Sequence, residues 1–267
     1  MTAGAVGLPA GSRRRAFLAL CQRDLWVTLR YEPLVFLAQA LLQPTFYLFV
    51  FGRVLPEIGA TGPGYVTQLM PGVMALTLVI ASLQNAALPL VIELWVTKEV
   101  EDRLLAPLSV AGVAIQKMTI SALRGVLASL LILPLAAVIL PGGLHVTTPS
   151  WPAFAAVLAL GSLTGSAMGI VLGTAVPPNR ISVAFAIVLN HLIFTGAAFY
   201  PWTSLGHIEW FQVLTLLNPL TYASEGLRAT LTSLDHLPLG WVLLGLTAWL
   251  LVFGTLAVRG FVRRSVD

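Results

Sequence analysis

The sequence predicts an all-α membrane protein with six transmembrane helices. Three observations lead there. Of 267 residues, 57% are hydrophobic and only 10% are charged, where a soluble domain carries about 25% charged residues. Mean hydropathy is +0.89. Six apolar stretches, at about 34–52, 68–92, 118–140, 152–176, 182–200 and 239–258, each approach the roughly 20 residues that a helix needs to cross about 30 Å of hydrocarbon. None shows barrel-strand alternation, and backbone polar groups in lipid must be satisfied internally, so helices are the expected form.

Residues 1–33 precede the first span and contain "RRRAFLALCQRDLWVTLRYEP". Phe17, Leu18, Leu25, Trp26 and Leu29 alternate with arginines, which suits an amphipathic helix lying where basic side chains meet anionic lipid. The plainer alternative is a basic flank of span one. No apolar core or small-residue cleavage pattern follows the arginines at signal-peptide distance, so no removed signal is expected. The region 34–258 holds the spans, and 259–267 forms a basic tail.

Pro/Gly clusters divide the spans: "PEIGATGPG" (56–64), "PGGLHVTTPS" (141–150) and "PPNR" (177–180). If the N-terminus is cytoplasmic, the inner side holds Arg13, Arg14, Arg15, Arg23, Arg30, Lys98, Arg103, Lys117, Arg180, Arg259, Arg263 and Arg264, twelve cations. The outer side holds two, Arg53 and Arg228, and Arg124 lies within span three. The positive-inside rule therefore puts both termini in the cytoplasm.

The most charged loop is "ELWVTKEVEDRLLAPLS", residues 93–109. Lys98 and Asp102, and Glu99 and Arg103, are each four apart, so one short helix can hold both ion pairs. With Leu94, Trp95, Val100, Leu104 and Leu105 it suits docking into a groove on a soluble partner; the alternative is a solvated loop. Arg124 is positioned either to reach the inner surface or to pair with an acid of this loop. Span four carries Gly161, Gly165, Gly169 and Gly173 at four-residue spacing, a stripe that lets another helix approach closely.

Polar side chains inside the spans are the remaining signal. Gln39 and Gln43 share a face of span one; Gln84 and Asn85 lie in span two; Asn190, His191 and Thr195 lie in span five. Such groups face a bundle interior or a wet cavity, or bond to a neighbouring helix. His191 has no carboxylate neighbour in its own helix, which argues against a proton relay. Between spans five and six, the 200–238 stretch has a short aromatic segment, a break at Asn218-Pro219, then a second helical arm. That pattern predicts a re-entrant or interfacial hairpin at the outer leaflet, with Tyr200, Trp202, Trp210 and Phe211 at headgroup level. Glu225 and Arg228, three apart, either pair or meet headgroups. An ordered outer loop is the alternative.

Catalytic motifs are missing from the sequence. There is no GxxxxGK[ST] phosphate loop, no HExxH, and one cysteine, Cys21, so neither a self-contained P-loop ATPase nor a cysteine-rich metal site is expected. "GSLTG" has no preceding strand to make a nucleophile elbow. No paired intramembrane carboxylates serve acid–base chemistry, no span carboxylate serves ion coupling, and no internal repeat of the secondary-transporter kind is evident.

The stretch "GAAFYPWTSLGHIEWFQVLTLLNPLTYASEGLR" resembles the C-terminal signature of type-2 ATP-binding-cassette permeases. "LLQPTFYLFVFG", "YVTQLMPGVMAL", "KEVEDRLLAPLS" and "ALRGVLASLL" are similar to that family's first span, entry to the second, charged loop and third span. The chain looks most like the drug-resistance and lipid-exporting branch, such as daunorubicin-resistance permeases. The resemblance implies two permease subunits, as a homodimer or with a paralogue, joined to two separately encoded ATPases. Those would bind ATP and Mg; this chain would carry no cofactor and no nucleic acid, and would contact membrane lipids as a multi-pass protein of the bacterial plasma (inner) membrane.

The resemblance also assigns roles. Residues 93–106 would be a coupling helix contacting the ATPase through Glu93, Lys98, Glu99, Glu101, Asp102 and Arg103, with the N-terminal helix as a second contact. Many relatives have a glycine after the first charges, which this loop lacks. Gln84, Asn85, Asn190 and His191 would line the path, and the outer hairpin, with Tyr200, Pro201, Asn218, Pro219, Tyr222, Glu225 and Arg228, would help close the exit. The implied function is export of a hydrophobic or amphipathic drug, antibiotic or lipid. The alternatives are a polysaccharide or teichoic-acid permease and, in another class, a membrane scaffold or integral-membrane enzyme.

Overall fold

Lipid-like sequence with Pro/Gly punctuation gives helices and short connections, with no strand among the described residues. The structure is a computed structural model that describes residues 10–31, 33–62, 64–97, 109–141, 146 and 150–266. In chain order these form α1 (Ala10–Tyr31), α2 (Pro33–Phe49), α3 (Tyr65–Ile92), α4 (Val110–Leu130), α5 (Ile132–Ile139), α6 (Trp151–Ala175), α7 (Ile181–Thr195), α8 (Glu209–Thr215), α9 (Pro219–Leu231) and α10 (Leu239–Val266). Wider π turns extend α2 over Val50–Val54 and α3 over Glu93–Thr97.

Local chemistry sets several boundaries. Ser109 caps α4, its Oγ accepting from Gly112 N at 3.1 Å. Asn218 caps α9, its Oδ1 accepting from Leu220 N at 2.8 Å, and Pro219 fills the first helical position, where a missing N–H costs nothing. Pro134 lies just inside α5; it cannot donate to the carbonyl of Leu130, which accounts for the break between α4 and α5. Residues 259–266 continue α10 without interruption.

α3 is the centre of the bundle. Every residue from Leu69 to Ile80 is buried, as befits a helix with apolar side chains nearly all round. α6, α4, α9 and α2 pack around it, and α10 packs on α6. Burial falls from 72% along the α3 span to 17% along that of α10, so α10 presents its sides outward while α3 is enclosed by protein.

Four segments are long and apolar enough to cross a membrane: Tyr65–Trp95, Val110–Ile139, Trp151–Ala175 and Leu239–Arg264. The other two expected spans are shorter as regular helices. α2 has 17 α-helical residues before its π turn. α7 has 15, about 22 Å at 1.5 Å per residue, and stops at Thr195 rather than at 200. Its end is forced: Gly196 follows, then Ala197 at φ +47°, a left-handed conformation that costs an L-residue about 1–2 kcal/mol.

The glycine stripe meets α3. A Cβ on Gly165 would sit 2.6 Å from the carbonyl oxygen of Val79, and one on Gly173 3.1 Å from that of Ala87. Gly169 is tighter still against Leu83. Backbone cannot yield as a flexible side chain can, so Gly165→Val should push α6 off α3. The expected outcome is a loss of about 1–3 kcal/mol, read as a lower melting temperature in detergent, whereas the open Gly254→Val should leave it unchanged.

Candidate functional site

The polar residues of the 218–228 stretch form one side of α9. Asn218, Thr221, Ser224, Glu225 and Arg228 recur at three- and four-residue intervals, which aligns them along a helix, and all five are fully buried. Most of their partners are main-chain carbonyls at the end of α7 and just beyond. Asn218 Nδ2 donates to Leu192 O at 3.1 Å and to Thr195 Oγ1 at 2.9 Å. Thr221 Oγ1 reaches Thr195 O at 3.3 Å, Ser224 Oγ reaches Gly196 O at 3.0 Å, and Arg228 Nη2 reaches Ala197 O at 3.4 Å. A helix leaves its last four carbonyls without internal partners, and away from water each unsatisfied group costs several kcal/mol. α9 supplies the missing donors, and α7 can therefore end inside the bundle.

Glu225 and Arg228 form a fully buried ion pair. Glu225 Oε1 also accepts from Trp202 N at 2.9 Å, and Oε2 from Leu237 N at 2.8 Å. Arg228 Nη2 donates to Gln68 O near the start of α3 at 3.4 Å. One pair thus joins α3, the end of α7, the turn Trp202–His207 and the entry to α10. Pairing, rather than headgroup contact, is what these two residues do. Around them Tyr200 OH donates to Phe194 O and Tyr222 OH to Leu216 O, both at 3.0 Å, and Pro201 precedes the Trp202 turn. Trp210 is well exposed, whereas Trp202 is half-buried and its Nε1 donates to Gln212 O at 3.1 Å.

The other end of the bundle gathers α1, the ends of α3 and α10, and the start of α4. Glu93 is buried and bonded to Lys117, itself buried, so this carboxylate points into the bundle rather than toward a soluble partner. Gln116 Nε2 donates to Asp24 Oδ2 at 3.0 Å, and Arg124 Nη2 to Asp24 O at 2.9 Å. Arg124 therefore reaches α1. Arg264 lies over the Trp95 ring at 4.1 Å, a cation–π contact. Lys98, Glu99, Glu101, Asp102 and Arg103 lie outside the described residues.

The four proposed path residues fall in separate places. Gln84 lines a shallow groove between α2 and α3 with Gln39, Gln43, Tyr47 and Thr77. Asn85 lines a cavity of about 240 Å³ among α1, α3 and α4. His191 lies in an apolar cleft of about 370 Å³ bounded by α6, α7 and α10, beside Leu192, Trp249 and Phe253. Asn190 is exposed on α7. Within one chain they do not converge. Among the described residues no group of three or more His, Cys, Asp or Glu side chains could hold a metal ion.

Sequence reasoning passed over Asp24, Thr221, Ser224 and the partner of Glu93. Asp24 carried a usable signal, being the one acid among the first 31 residues. Removing one member of the Glu225–Arg228 pair should be severe: Glu225→Leu or Arg228→Leu strands a buried charge, at about 3–5 kcal/mol. Ser224→Ala should cost about 1 kcal/mol. Yield of monodisperse protein and thermal unfolding in detergent measure both. At the other end, burial and the nearby Asp24 push the Cys21 thiol up, against a hydrogen bond to Gln116 that lowers it. Cys21 should react with a maleimide at half-maximal rate at a higher pH than free cysteine, because only the thiolate attacks.

Residues 15–232 match the family described as ABC-2 type transporter. The chain is 25% identical over 248 residues to the inner membrane transport permease YadH of Escherichia coli K12, covering 90% of this chain and 91% of that one. The YadH permease of Shigella flexneri matches to the same extent. With more than three quarters of its length inside the family match, and the family's Asn-Pro-Leu-Thr-Tyr stretch forming the buried side of α9, the chain belongs to the ABC-2 type transporter family.

Proposed function

We propose that this permease subunit moves a hydrophobic or amphipathic drug, antibiotic or lipid out of the cytoplasm or inner leaflet. It spans the membrane six times, with α2 and α7 completing the set, and both termini are cytoplasmic. ABC-2 permeases generally work with a separate ATPase subunit. Here two such ATPases, loaded with ATP and Mg, serve a pair of permease chains.

One observation carries this reading. Gln39 and Gln43 on α2, and Asn190 and His191 on α7, are exposed on the surface of the single chain. Polar side chains facing lipid are costly. A second permease chain placed against α2 and α7 would enclose them, with Gln84, beside a wet path, and the His191 cleft would give that path an apolar wall. The sparse aromatics on α3 and α7 favour a drug or lipid over a polysaccharide. The curated relatives' names specify an inner-membrane permease and agree with the location.

Energy enters at the basic end. Residues 93–106 dock on the ATPase, with Lys98, Glu99, Glu101, Asp102 and Arg103 as contacts. The base of that segment is tied to α4 through Glu93–Lys117 and to α10 through Trp95–Arg264. Motion of the segment on ATP binding therefore passes to two helices at once. Inward-open and outward-open states exchange by rigid-body rocking, driven by differential nucleotide affinity. Glu225–Arg228 and the outer hairpin hold the exit side together while this happens.

Charge reversal at Glu99 or Arg103 should abolish ATP-driven export by the reconstituted complex, while membrane insertion and the melting temperature stay at wild-type values. Export at the wild-type rate in both variants would sink the coupling assignment. Substrate-stimulated ATP hydrolysis by the same complex, tested with amphipathic drugs against phospholipids, reports the cargo.

A further inference from the structure

We propose that the cavity among α1, α3 and α4 at the basic end is a binding site for a phosphate-bearing lipid headgroup. It measures about 240 Å³, room for a headgroup rather than a single ion, and its charged lining is Arg23, Asp24, Glu93, Lys117 and Arg124. Cations outnumber carboxylates by three to two. Glu93 faces Lys117, and Asp24 Oδ2 already accepts from Gln116, so the charge left to a ligand is positive. Asn85 and Ser121 add polar groups on the same wall.

The rest of the lining is Val27, Ala86, Pro89 and Ile120. A cavity polar on one side and apolar on the other matches the junction between a phosphate headgroup and the first carbons of its acyl chains. α1 sets the depth. Its Leu18, Trp26 and Val27 are exposed while Arg23 lines the cavity, the arrangement of a helix lying at the headgroup level. Basic pockets between helices on that side of a membrane recognise anionic headgroups, and guanidinium groups bind phosphate through charge-assisted hydrogen bonds. Arg23 has no carboxylate within ion-pair reach among the described residues, which makes it the cation most available to the ligand. This site is separate from the transport path and does not depend on the direction of transport.

The test uses the full chain in nanodiscs of phosphatidylcholine with a minor share of phosphatidylglycerol, followed by detergent extraction and native mass spectrometry of retained lipid. Wild type should retain phosphatidylglycerol over phosphatidylcholine. Arg23→Glu should cut that retention about tenfold, the scale of one charge-assisted contact, while Arg53→Gln at the opposite end leaves it unchanged. Arg23→Gln, with an intermediate loss, serves if Arg23→Glu extracts poorly. Equal retention in wild type and both Arg23 variants would overturn the proposal. A parallel arm adds inorganic phosphate or glycerol 3-phosphate to delipidated protein. If either raises the melting temperature as much as phosphatidylglycerol does, the site belongs to a soluble phosphate and the lipid assignment fails.

Discussion

The buried pair of Glu225 and Arg228 is the constraint on which the arrangement of the helices depends. Its members contact Gln68, Ala197, Trp202 and Leu237, positions scattered over 170 residues of chain. Neither charge is tolerable in such surroundings unless every one of these contacts forms. The pair is therefore satisfied in one arrangement of α3, α7, α9 and α10, and alternatives that separate any two of them leave a charge bare. Its value lies in specifying geometry more than in net stability.

That arrangement explains why α7 is short. A helix ending within a bundle exposes carbonyls that lipid cannot satisfy, and α9 takes them with Asn218, Thr221, Ser224 and Arg228. Only Phe185 and Leu192 of α7 are buried within the single chain. α7 is thus held firmly at its end and loosely along its length. A partner chain can pack on the exposed length without disturbing the anchored end, and Ala197, at φ +47°, marks the joint between the two.

The two ends of the bundle use polar chemistry differently. Around α9 a single buried cluster closes on itself. At the basic end, Glu93–Lys117, Asp24–Gln116 and Trp95–Arg264 join separate helices around a cavity that stays open. Between them α3 and the glycines of α6 make a dry, tightly fitted centre, where Gly165 and Gly173 meet backbone rather than side chains. Displacement applied at one end of such a centre is transmitted, because packed helices have little room to deform.

What the sequence determined by itself was the class of molecule and the position of its helices. Apolar length, Pro/Gly breaks and charge distribution are local properties, and they placed every helix within a few residues except at 196–200. The glycine stripe also declared its role, since four-residue spacing has one geometric consequence. The 218–228 stretch was legible as unusual, and its kinship to a permease family was legible too. What only the tertiary structure decided is where each polar side chain finds its partner. Glu93 read as a charge for a soluble neighbour and is held by Lys117; Gln84, Asn85, Asn190 and His191 read as one group and occupy four settings. Such pairings join residues 20 to 160 positions apart, and no local pattern encodes them. They follow from which helix faces meet, and that is settled by packing around α3 and by the charges that packing must satisfy.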